Sequence, residues 1–403
     1  MKIPITKPVF DDAEKKNIIK PLDSGWVVQG KFVAEFEKLF TLFTRAKYAF
    51  AVTSCTTALH LALAALKIKP GDKVIVPSFT FVATVNAVEY TGAEPVFCDI
   101  DLKTFNIDVD QLEEILMKDK GHKIKAVIPV HLFGLCAEMD KIVKIAGKYH
   151  LKIVEDAACA LGSKIGNIHA GVFGDAGCFS FHPRKVITTG EGGMVITNNP
   201  ALAQKLTSLR DHGASKTDLQ RHTDKGGSLL PDYDLLGYNY RMTDLQGALG
   251  VCQMAKAKAI INKRRIRAGK YNQVLKEERN LITPWVPDNY THTYQSYVCL
   301  FTNGESRENI MSYTPGKINE LNKIRNRIMF ALEDKGIAVR QGTHAVHTLG
   351  YYKNKYGLRF QDCFASYIAD RLSLTLPLYA DMTEQEFNYV ILNLRKILKT
   401  CAV

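Results

Sequence analysis

The sequence predicts an α/β fold: a large domain with a seven-stranded, mainly parallel sheet, followed by a smaller C-terminal α+β domain. Three observations predict this class. Short β-rich runs alternate with helix-like segments from about residue 48 to 200, as in sheets whose parallel strands are joined by helices. Most of these runs are continuously apolar, as expected when helices cover both faces of a sheet. The 403 residues also exceed what a single core usually serves, so two domains are expected.

Seven runs are predicted as strands of this sheet. In chain order they read YAFAVT, DKVIVP, EPVFCDI, IKAVIPVH, KIVEDA, CFSF and GMVIT. The segments TTALHLALAALKI, FVATVNAVEYTG and DVDQLEEILMKDK between them are predicted as helices, because their apolar residues recur at helical spacing or follow capping residues. Ligands of such sheets bind at the carboxyl ends of the strands, so a site is expected there.

The pattern changes in the second half of the chain. The capping box TDLQ (Thr243 to Gln246) predicts the start of a long helix, and TEQE (Thr383 to Glu386) the start of the last one. Between them, TYQSYVCLF, IAVR and SLTLPL are predicted as strands, and IRNRIMFALEDKG as a helix that Gly336 ends. We predict a large domain over residues 1–255 and a small domain over 256–403. The polar stretches 213–232 and 303–317 are predicted as mobile loops.

Composition argues against several classes of protein. The start, MKIPITKPVFDDAEKK, lacks the apolar run of a signal peptide, and no uncharged stretch reaches transmembrane length. The nine cysteines are scattered without a CxxC pair, which indicates neither a zinc site nor a disulfide framework. We therefore expect a reduced, cytoplasmic protein with no metal and no membrane partner.

The net charge of +12 allows two interpretations. A basic surface can bind nucleic acid, but the lysines are dispersed and no groove-reading module is recognisable. A solvated surface that tolerates anionic substrates explains the charge better. No nucleic-acid partner is expected.

Two sequence features place polar groups at the ends of strands. LKIVEDAACA runs apolar into Glu155 and Asp156; a carboxylate there could pair with a cationic heterocycle, or act as a helix cap. TSCTTALHLALAAL places Ser54, Thr56 and Thr57 where a strand turns into a helix. Free N–H groups and hydroxyls at such a point bind anions, although plain capping explains these residues equally well.

Two further features complete a pattern. Phe81, in PSFTFVATVNAV, follows a strand end, where its ring could stack on a flat ligand or join the core. Lys185 lies between a strand-like run and a glycine-rich turn that does not match P-loop spacing. In this order, helix terminus, acid and lysine match the needs of pyridoxal phosphate. The lysine binds its aldehyde as a Schiff base, the acid keeps its pyridine nitrogen protonated, and the helix terminus binds its phosphate.

The chain resembles the DegT/DnrJ/EryC1/StrS family of pyridoxal-phosphate enzymes, most of which are nucleotide-sugar aminotransferases with the aspartate aminotransferase (type I) fold. The resemblance covers nearly the whole chain. It is carried by SGWVVQGKFVAEFE, TSCTTALHLAL, PSFTFVATVNAV, VEDAACALGS, FSFHPRKVITTGEGGMVITN, LRDHGAS, GYNYRMTDLQGALG and LPLYADMTEQE. It implies that Lys185 binds the cofactor and moves protons between cofactor and substrate, that Asp156 pairs with the pyridine nitrogen, and that Phe81 stacks on the ring.

The resemblance also implies contacts to the cofactor's other groups. Ser180 would hold the phosphate together with Thr56 and Thr57, and Asn239 would reach the phosphate of the neighbouring subunit, so the minimum unit would be a homodimer. Cys159 stands where glutamine is common in the family. This exchange could leave the cofactor's ring hydroxyl less well bonded, but it removes no chemical step.

The implied reaction transfers an amino group from an amino acid, usually glutamate in this family, to a nucleotide-linked keto-sugar, with a 4-keto-6-deoxyhexose favoured. Arg241 and His344 are candidates for binding the nucleotide diphosphate, though each could equally make a structural hydrogen bond. A regulatory or sensory relative that binds the cofactor without turnover is one alternative. A sugar dehydratase is another; that branch of the family carries histidine in place of the lysine, so Lys185 disfavours it.

Overall fold

The structure is a computed structural model that describes residues 1–216 and 230–401. Most of the predicted loop 213–232 lies outside the described residues. The strands are β1 (Tyr48–Val52), β2 (Lys73–Pro77), β3 (Phe79–Thr80), β4 (Glu94–Cys98), β5 (Ile124–Val127), β6 (Lys152–Asp156), β7 (Lys164–Ile165), β8 (Ile168–His169), β9 (Ala176–Ser180), β10 (Gly193–Thr197), β11 (Leu281–Ile282), β12 (Tyr290–Thr291), β13 (Tyr297–Phe301), β14 (His344–Ala345) and β15 (Ser373–Leu376).

The helices alternate with these strands in the first half of the chain and dominate the second half. The α-helices span Asp12–Ser24, Lys31–Thr44, Cys55–Ala65, Ala83–Tyr90, Val109–Lys118, Met139–Tyr149, Pro200–Leu209, Asp244–Leu275, Arg307–Met311, Pro315–Asp334, Gly350–Tyr356, Phe364–Leu372 and Glu384–Cys401. Short 3₁₀ turns lie at Leu132–Gly134, Val346–Thr348 and Phe360–Cys363. Within residues 1–216 and 230–401, none of the helices combines the length and apolarity needed to cross a membrane.

The predicted seven-stranded sheet is confirmed. Its strand order is β1-β10-β9-β6-β5-β2-β4. The pairs from β9 through β6, β5 and β2 to β4 are parallel, while β10 runs antiparallel to both of its neighbours. Most residues of these strands are buried, which explains why the strands read as continuous apolar runs.

The long helix Asp244–Leu275 begins at the predicted capping box. The Thr243 hydroxyl accepts a hydrogen bond from the Gln246 N–H, and the Gln246 side chain bonds back to Thr243 N–H. The buried Asp244 carboxylate accepts hydrogen bonds from backbone N–H groups of Gly30, Phe32 and Val33. These bonds cap the helix Lys31–Thr44 and hold it against the long helix.

The second half of the chain folds around a three-stranded antiparallel sheet, β11-β13-β15. The helix Pro315–Asp334 is followed by Gly336 in the left-handed region (φ 74°), and TEQE caps the helix Glu384–Cys401, both as predicted. The boundary predicted at residue 255 falls inside the helix Asp244–Leu275, and it stays a prediction.

Two predictions for this half were wrong. IAVR does not form a strand: Ile337 makes a single bridge to Ile3, and Arg340 a single bridge to Thr375, so the run pairs with a different partner at each end. The stretch 303–317 is not a continuous loop. Ser306 caps the helix Arg307–Met311 and Thr314 caps the helix Pro315–Asp334, because hydroxyl side chains at those positions satisfy the first free N–H groups.

Candidate active site

A cavity of about 440 Å³ opens at the carboxyl end of the sheet. Its lining includes Asp156, the last residue of β6, and Ser180, the last residue of β9. This is the edge at which sheets of this kind bind ligands. Six of the predicted site residues line this one cavity: Thr56, Phe81, Asp156, Cys159, Ser180 and Lys185. Thr57 and Asn239 do not line it.

Lys185 lies in the turn after β9, where its backbone N–H bonds to the His182 carbonyl at 2.8 Å. Its Nζ donates a hydrogen bond to Cys159 Sγ at 3.1 Å. Burial lowers the pKa of Lys185, but Cys159, Cys55 and Asp156 raise it, and the net shift is upward. The amine is therefore protonated at neutral pH while this environment surrounds it, and it must lose that proton before it can act as a nucleophile.

Asp156 is held in the cavity by two hydrogen bonds. Thr84 Oγ1 donates to its Oδ2 at 2.7 Å, and the Ala158 N–H donates to its Oδ1 at 3.1 Å. The Thr84 hydroxyl in turn accepts from the Thr80 hydroxyl at 2.9 Å, since its own proton is used on Asp156. These bonds fix the carboxylate in an orientation in which it can face a bound ligand.

The preceding residue, Glu155, has a structural function. Successive side chains of a strand point to opposite faces, and the fully buried Glu155 accepts hydrogen bonds from the Gly171 and Gly174 N–H groups, each at 2.7 Å. It also accepts from His131 Nε2 at 2.8 Å. His131 Nδ1 accepts from the Ala137 N–H at 3.1 Å, which places the ring proton on Nε2.

The N-terminus of the helix Cys55–Ala65 faces the cavity. Ser54 caps it, and the Thr57 hydroxyl is used inside this cap, bonded to the Ser54 N–H and carbonyl. Thr57 therefore supports the helix end rather than the cavity wall. Among the described residues, the N–H groups of Cys55 and Thr56 have no hydrogen-bond acceptor, so they are free to bind an anion. A Cβ at Gly193 of β10 would lie 2.4 Å from the Ser54 carbonyl, so only glycine permits this approach.

Phe81 is exposed rather than part of the core. Its side chain is 65% exposed and forms part of the cavity wall between β3 and the helix Ala83–Tyr90. This excludes the alternative interpretation of Phe81 as a core residue. Cys55 also lines the cavity and Cys178 is buried nearby. Burial is the main cause that raises the pKa of both thiols.

The remaining candidates lie outside the cavity lining. Asn239 is exposed and makes an isolated bridge to Asp211. Arg241 forms an ion pair with the Asp211 carboxylate, which favours its structural interpretation. His344 is exposed, pairs with Thr80 through its backbone and shares a hydrogen bond of 3.2 Å with the Gln341 side chain.

Sequence analysis missed several residues in or next to the cavity. Thr84, which bonds to Asp156 from behind the cavity wall, could have been found as a hydroxyl residue just after a strand end. Arg184 precedes the candidate lysine but was not singled out. Gln295, Arg340 and Thr375 also line the cavity, and no local motif marks them, because only the tertiary fold brings them to the site.

Residues 8–395 match the sequence model of the DegT/DnrJ/EryC1/StrS aminotransferase family. The chain belongs to this family. It is 34% identical to GDP-perosamine synthase of Caulobacter vibrioides over 399 residues, covering 98% of each chain. It is 36% identical to the spore coat polysaccharide biosynthesis protein SpsC of Bacillus subtilis over 398 residues, covering 98% of this chain and 97% of that one.

Solved structures are similar along nearly the whole chain. The pyridoxamine phosphate form of Spr1654, a putative sugar aminotransferase of Streptococcus pneumoniae, has a TM-score of 0.89 at 27% identity, covering 99% of this chain and 100% of that one. Its pyridoxal phosphate form has a TM-score of 0.88 at 26% identity, covering both chains fully. The predicted fold, enzyme class and cofactor are confirmed: the protein is a pyridoxal-phosphate-dependent aminotransferase of a sugar aminotransferase family.

The residues of the cavity fit this cofactor. A primary amine, a carboxylate fixed by a hydroxyl, a helix terminus with free N–H groups and an exposed aromatic ring all face one space. When bound, pyridoxal phosphate supplies an electron sink for the carbon that loses a proton. The chain itself has to hold the cofactor, and the cavity offers the Lys185 amine and the Asp156 carboxylate as groups that could bind its aldehyde and its pyridine nitrogen.

Proposed function

We propose that the protein transfers an amino group from glutamate to a keto-sugar carried on a nucleotide, a step of amino-sugar biosynthesis. A 4-keto-6-deoxyhexose is the favoured acceptor. The observation that carries the proposal is that Lys185, Asp156 and Phe81 meet in one cavity at the carboxyl end of the sheet. The similarity to GDP-perosamine synthase supports the acceptor class.

Each predicted site residue of the cavity has one proposed task. Lys185 binds the cofactor through Nζ and then carries the proton between the donor carbon and the cofactor. Asp156, held by Thr84, keeps the pyridine nitrogen protonated. Phe81 stacks on the ring and Cys159 lies beside it. The phosphate is assigned to Ser180 and the helix end formed by Thr56 and Thr57.

We further propose a homodimer in which Asn239 serves the site of the partner subunit. Asn239 is exposed and outside its own chain's cavity, which supports a contact across an interface. Mixing Lys185→Ala with Asn239→Ala subunits tests this. Random exchange should restore roughly a quarter of the sites, because each mixed dimer has one intact site. Activity that never exceeds the sum of the two separate proteins would contradict the shared site.

The protein is proposed to act in the cytoplasm. All nine cysteines are free thiols in the structure, which suits a reducing compartment. The cytoplasm would also supply the nucleotide sugar and the amino acid that the proposed reaction consumes. Labelled protein recovered in the membrane or secreted fraction would argue against it.

A cofactor spectrum tests the function directly. The holoenzyme should lose its visible absorbance when glutamate is added and regain it when the correct nucleotide-linked keto-sugar follows. Lys185→Ala should abolish covalent attachment of the cofactor, while Lys125→Ala, which replaces an exposed lysine, should not. A bound cofactor that ignores every amino acid would favour a regulatory relative. A lost sugar hydroxyl without gain of nitrogen would favour a dehydratase.

A further inference from the structure

Two neighbouring strands bring the sulfur of Cys159 and the amine of Lys185 together. Cys159 lies in the loop after β6 and Lys185 in the turn after β9, and these strands pair in parallel, so both segments leave the sheet at the same edge. Nζ donates a hydrogen bond to Sγ at 3.1 Å. Among the cysteines of residues 1–216 and 230–401, Cys159 is the only one whose sulfur accepts a hydrogen bond from a charged side chain.

The backbone is fixed on both sides of this contact. The Ala157 N–H, two residues before Cys159, donates to the Cys178 carbonyl at 2.8 Å, and the Lys185 N–H donates to the His182 carbonyl at 2.8 Å. The lysine ammonium is carried on a flexible four-carbon stem. Because the two loops are held in place, rotation within this stem can bring nitrogen and sulfur into bonding distance without moving the sheet.

Cys159 can be reached from solvent, because it is half-buried and lines the cavity of about 440 Å³. The thiolate is the reactive form of a cysteine, and a neighbouring ammonium favours it. Cys55 lines the same cavity and Cys178 is buried nearby, but burial raises the pKa of both thiols. A small oxidant that enters the cavity therefore meets Cys159 as the thiol that is hydrogen-bonded to a cation.

We propose that hydrogen peroxide joins Cys159 to Lys185 through a covalent sulfur–nitrogen bond, which thiols reverse and which blocks the cofactor-binding amine. This rests on the proposed role of Lys185. First, the sulfur takes one oxygen atom from the peroxide and becomes a sulfenic acid, and the rest of the peroxide leaves as water. Then Nζ attacks the sulfur, the S–O bond breaks, and the hydroxyl leaves as water with a proton from the amine. The sulfur is oxidised and the peroxide is reduced in the first step, so the second step needs no oxidant.

Oxidation of the sulfur also prepares the lysine for the second step. The attack requires a neutral amine, but the net shift of the Lys185 pKa is upward. Burial lowers this pKa, while the charge of Cys159 and its hydrogen bond are the first causes that raise it. A sulfenic acid is uncharged, so its formation removes the effect of the Cys159 charge and leaves that of burial. The pKa of Lys185 therefore falls when the sulfur is oxidised, and more of the amine is neutral.

The bridge and the cofactor compete for one nitrogen. While Lys185 holds the cofactor it has no free amine for the sulfur, and a bridged lysine has none for the cofactor aldehyde. Two thiol molecules would reduce the bridge to the original thiol and amine and leave as a disulfide. Glutamine, which the resemblance to the family implies at position 159, has no sulfur for either step. The modification site is therefore a property of Cys159 in this chain.

Peptide mass spectrometry after peroxide treatment tests the proposal. The full-length apoprotein and the holoenzyme are treated with hydrogen peroxide, digested and searched for a joined pair of peptides that contain Cys159 and Lys185. The apoprotein should give a pair about 2 Da lighter than the two peptides together, because the sulfur and the nitrogen each lose a hydrogen. The holoenzyme should give no such pair, and dithiothreitol should remove it from the apoprotein.

Cofactor loading gives a second readout. The visible absorbance that treated apoprotein gains with pyridoxal phosphate should fall in proportion to the bridged fraction and return after dithiothreitol. Cys159→Gln should show neither the joined peptides nor any loss of loading caused by peroxide, relative to its own untreated sample. Cys252→Ala, which replaces a half-buried cysteine outside the cavity, should show both effects as wild type does.

The outcomes separate this proposal from the proposed function. A Cys159 that stops at the sulfenic acid, that forms a disulfide with Cys55, or that joins Lys185 with an oxygen atom retained would overturn the proposal. If the bridge forms but the cofactor still attaches covalently, the assignment of Lys185 fails while the modification site stands. If the cofactor attaches through Lys185 but the bridge never forms, the proposed function stands and this proposal fails. Far-ultraviolet circular dichroism of each untreated protein checks the fold.

Discussion

Lys185 Nζ and Cys159 Sγ are joined by a hydrogen bond of 3.1 Å. Both side chains line the cavity, and Cys159 is among the groups that raise the pKa of Lys185 against the opposing effect of burial. The resemblance to the family implies glutamine at this position, and the cysteine found there instead carries a titratable thiol. The protonation of the lysine before the cofactor arrives is thus coupled to a thiol in this chain.

Cys159→Ala should make cofactor loading less dependent on alkaline pH. Removing the thiol removes one cause of the raised pKa of Lys185, so more of the amine is neutral at a given pH. The rate at which the apoprotein binds pyridoxal phosphate should rise with pH for both proteins, with the variant's profile displaced to lower pH. Cys252→Ala, a half-buried cysteine on the helix Asp244–Leu275, is the control. Superimposable profiles for Cys159→Ala and wild type would show that the thiol does not control the lysine.

Asp156→Asn and Thr84→Val should slow the reaction with glutamate to different extents. Asn keeps the shape of Asp156 but loses the charge that favours a protonated pyridine nitrogen, and we expect a loss on the order of 10²-fold. Thr84→Val removes only the hydrogen bond of 2.7 Å to Asp156, worth about 1 kcal/mol, so a loss of about fivefold is expected. Stopped-flow spectra of single turnovers measure both rates. A larger loss in Thr84→Val than in Asp156→Asn would reverse the roles we assign.

Glu155→Gln should destabilise the fold and leave the site chemistry intact. Three N–H donors, from His131, Gly171 and Gly174, converge on this buried carboxylate. A glutamine amide would turn its NH₂ group toward one of these donors, at a cost of about 1–3 kcal/mol in unfolding free energy. Urea unfolding measures the loss, with the exposed Glu114→Gln as control. Unchanged stability together with a slow half-reaction would mean that Glu155 belongs to the active site after all.

Stability should fall as the pH drops below about 6.5. Burial lowers the pKa of His169 to about 4 and that of His292 to about 3. His169 Nε2 accepts from the Gly162 N–H at 2.7 Å, and its Nδ1 donates to the Ala170 carbonyl at 2.6 Å, so a second ring proton has no acceptor. Between pH 6.5 and 4 the unfolded chain binds protons that the folded chain does not, and stability therefore decreases as pH falls through this window, by about 3 kcal/mol for His169 alone.

Urea unfolding at pH 7.5 and 4.5 measures this dependence. His169→Gln should show a smaller difference between the two pH values, whatever its stability at pH 7.5. The exposed His344→Gln should keep the wild-type difference. An equal pH dependence in His169→Gln and wild type would assign the acid sensitivity to other groups.

The sheet was predictable because its strands are buried on both faces, so their apolar runs are unambiguous. The two capping boxes were also predictable, since Thr243 and Thr383 satisfy N–H groups within one helical turn. The order of helix terminus, acid and lysine along these strands indicated a cofactor site because the carboxyl ends of parallel strands meet at one edge. Local chemistry was thus sufficient for the strands and for the two capping boxes.

Most of the features that sequence analysis missed depend on contacts between distant segments of the chain. Thr84 and Asp156 meet across the sheet edge, and the neighbours Arg340 and Thr375 are 35 positions apart in the chain (375 − 340). The apolar run IAVR looks like a strand in sequence, and nothing in it shows that Ile337 and Arg340 each form only a single bridge, to two different segments. Polar composition made 303–317 look like a loop, although Ser306 and Thr314 begin helices there. Composition alone does not reveal whether a hydroxyl caps a helix or faces water.

Ile5 and Thr6 form part of the wall of the candidate active-site cavity, alongside segments that are synthesised much later. Ile3 bridges to Ile337, the Ile5 carbonyl accepts from the Leu378 N–H at 3.0 Å, and Ile5 and Thr6 line the cavity. Chains emerge from the ribosome N-terminus first. The Ile5 carbonyl therefore has no hydrogen-bond donor until residue 378 has been synthesised, so a nascent chain can form the seven-stranded sheet before this cavity wall is complete.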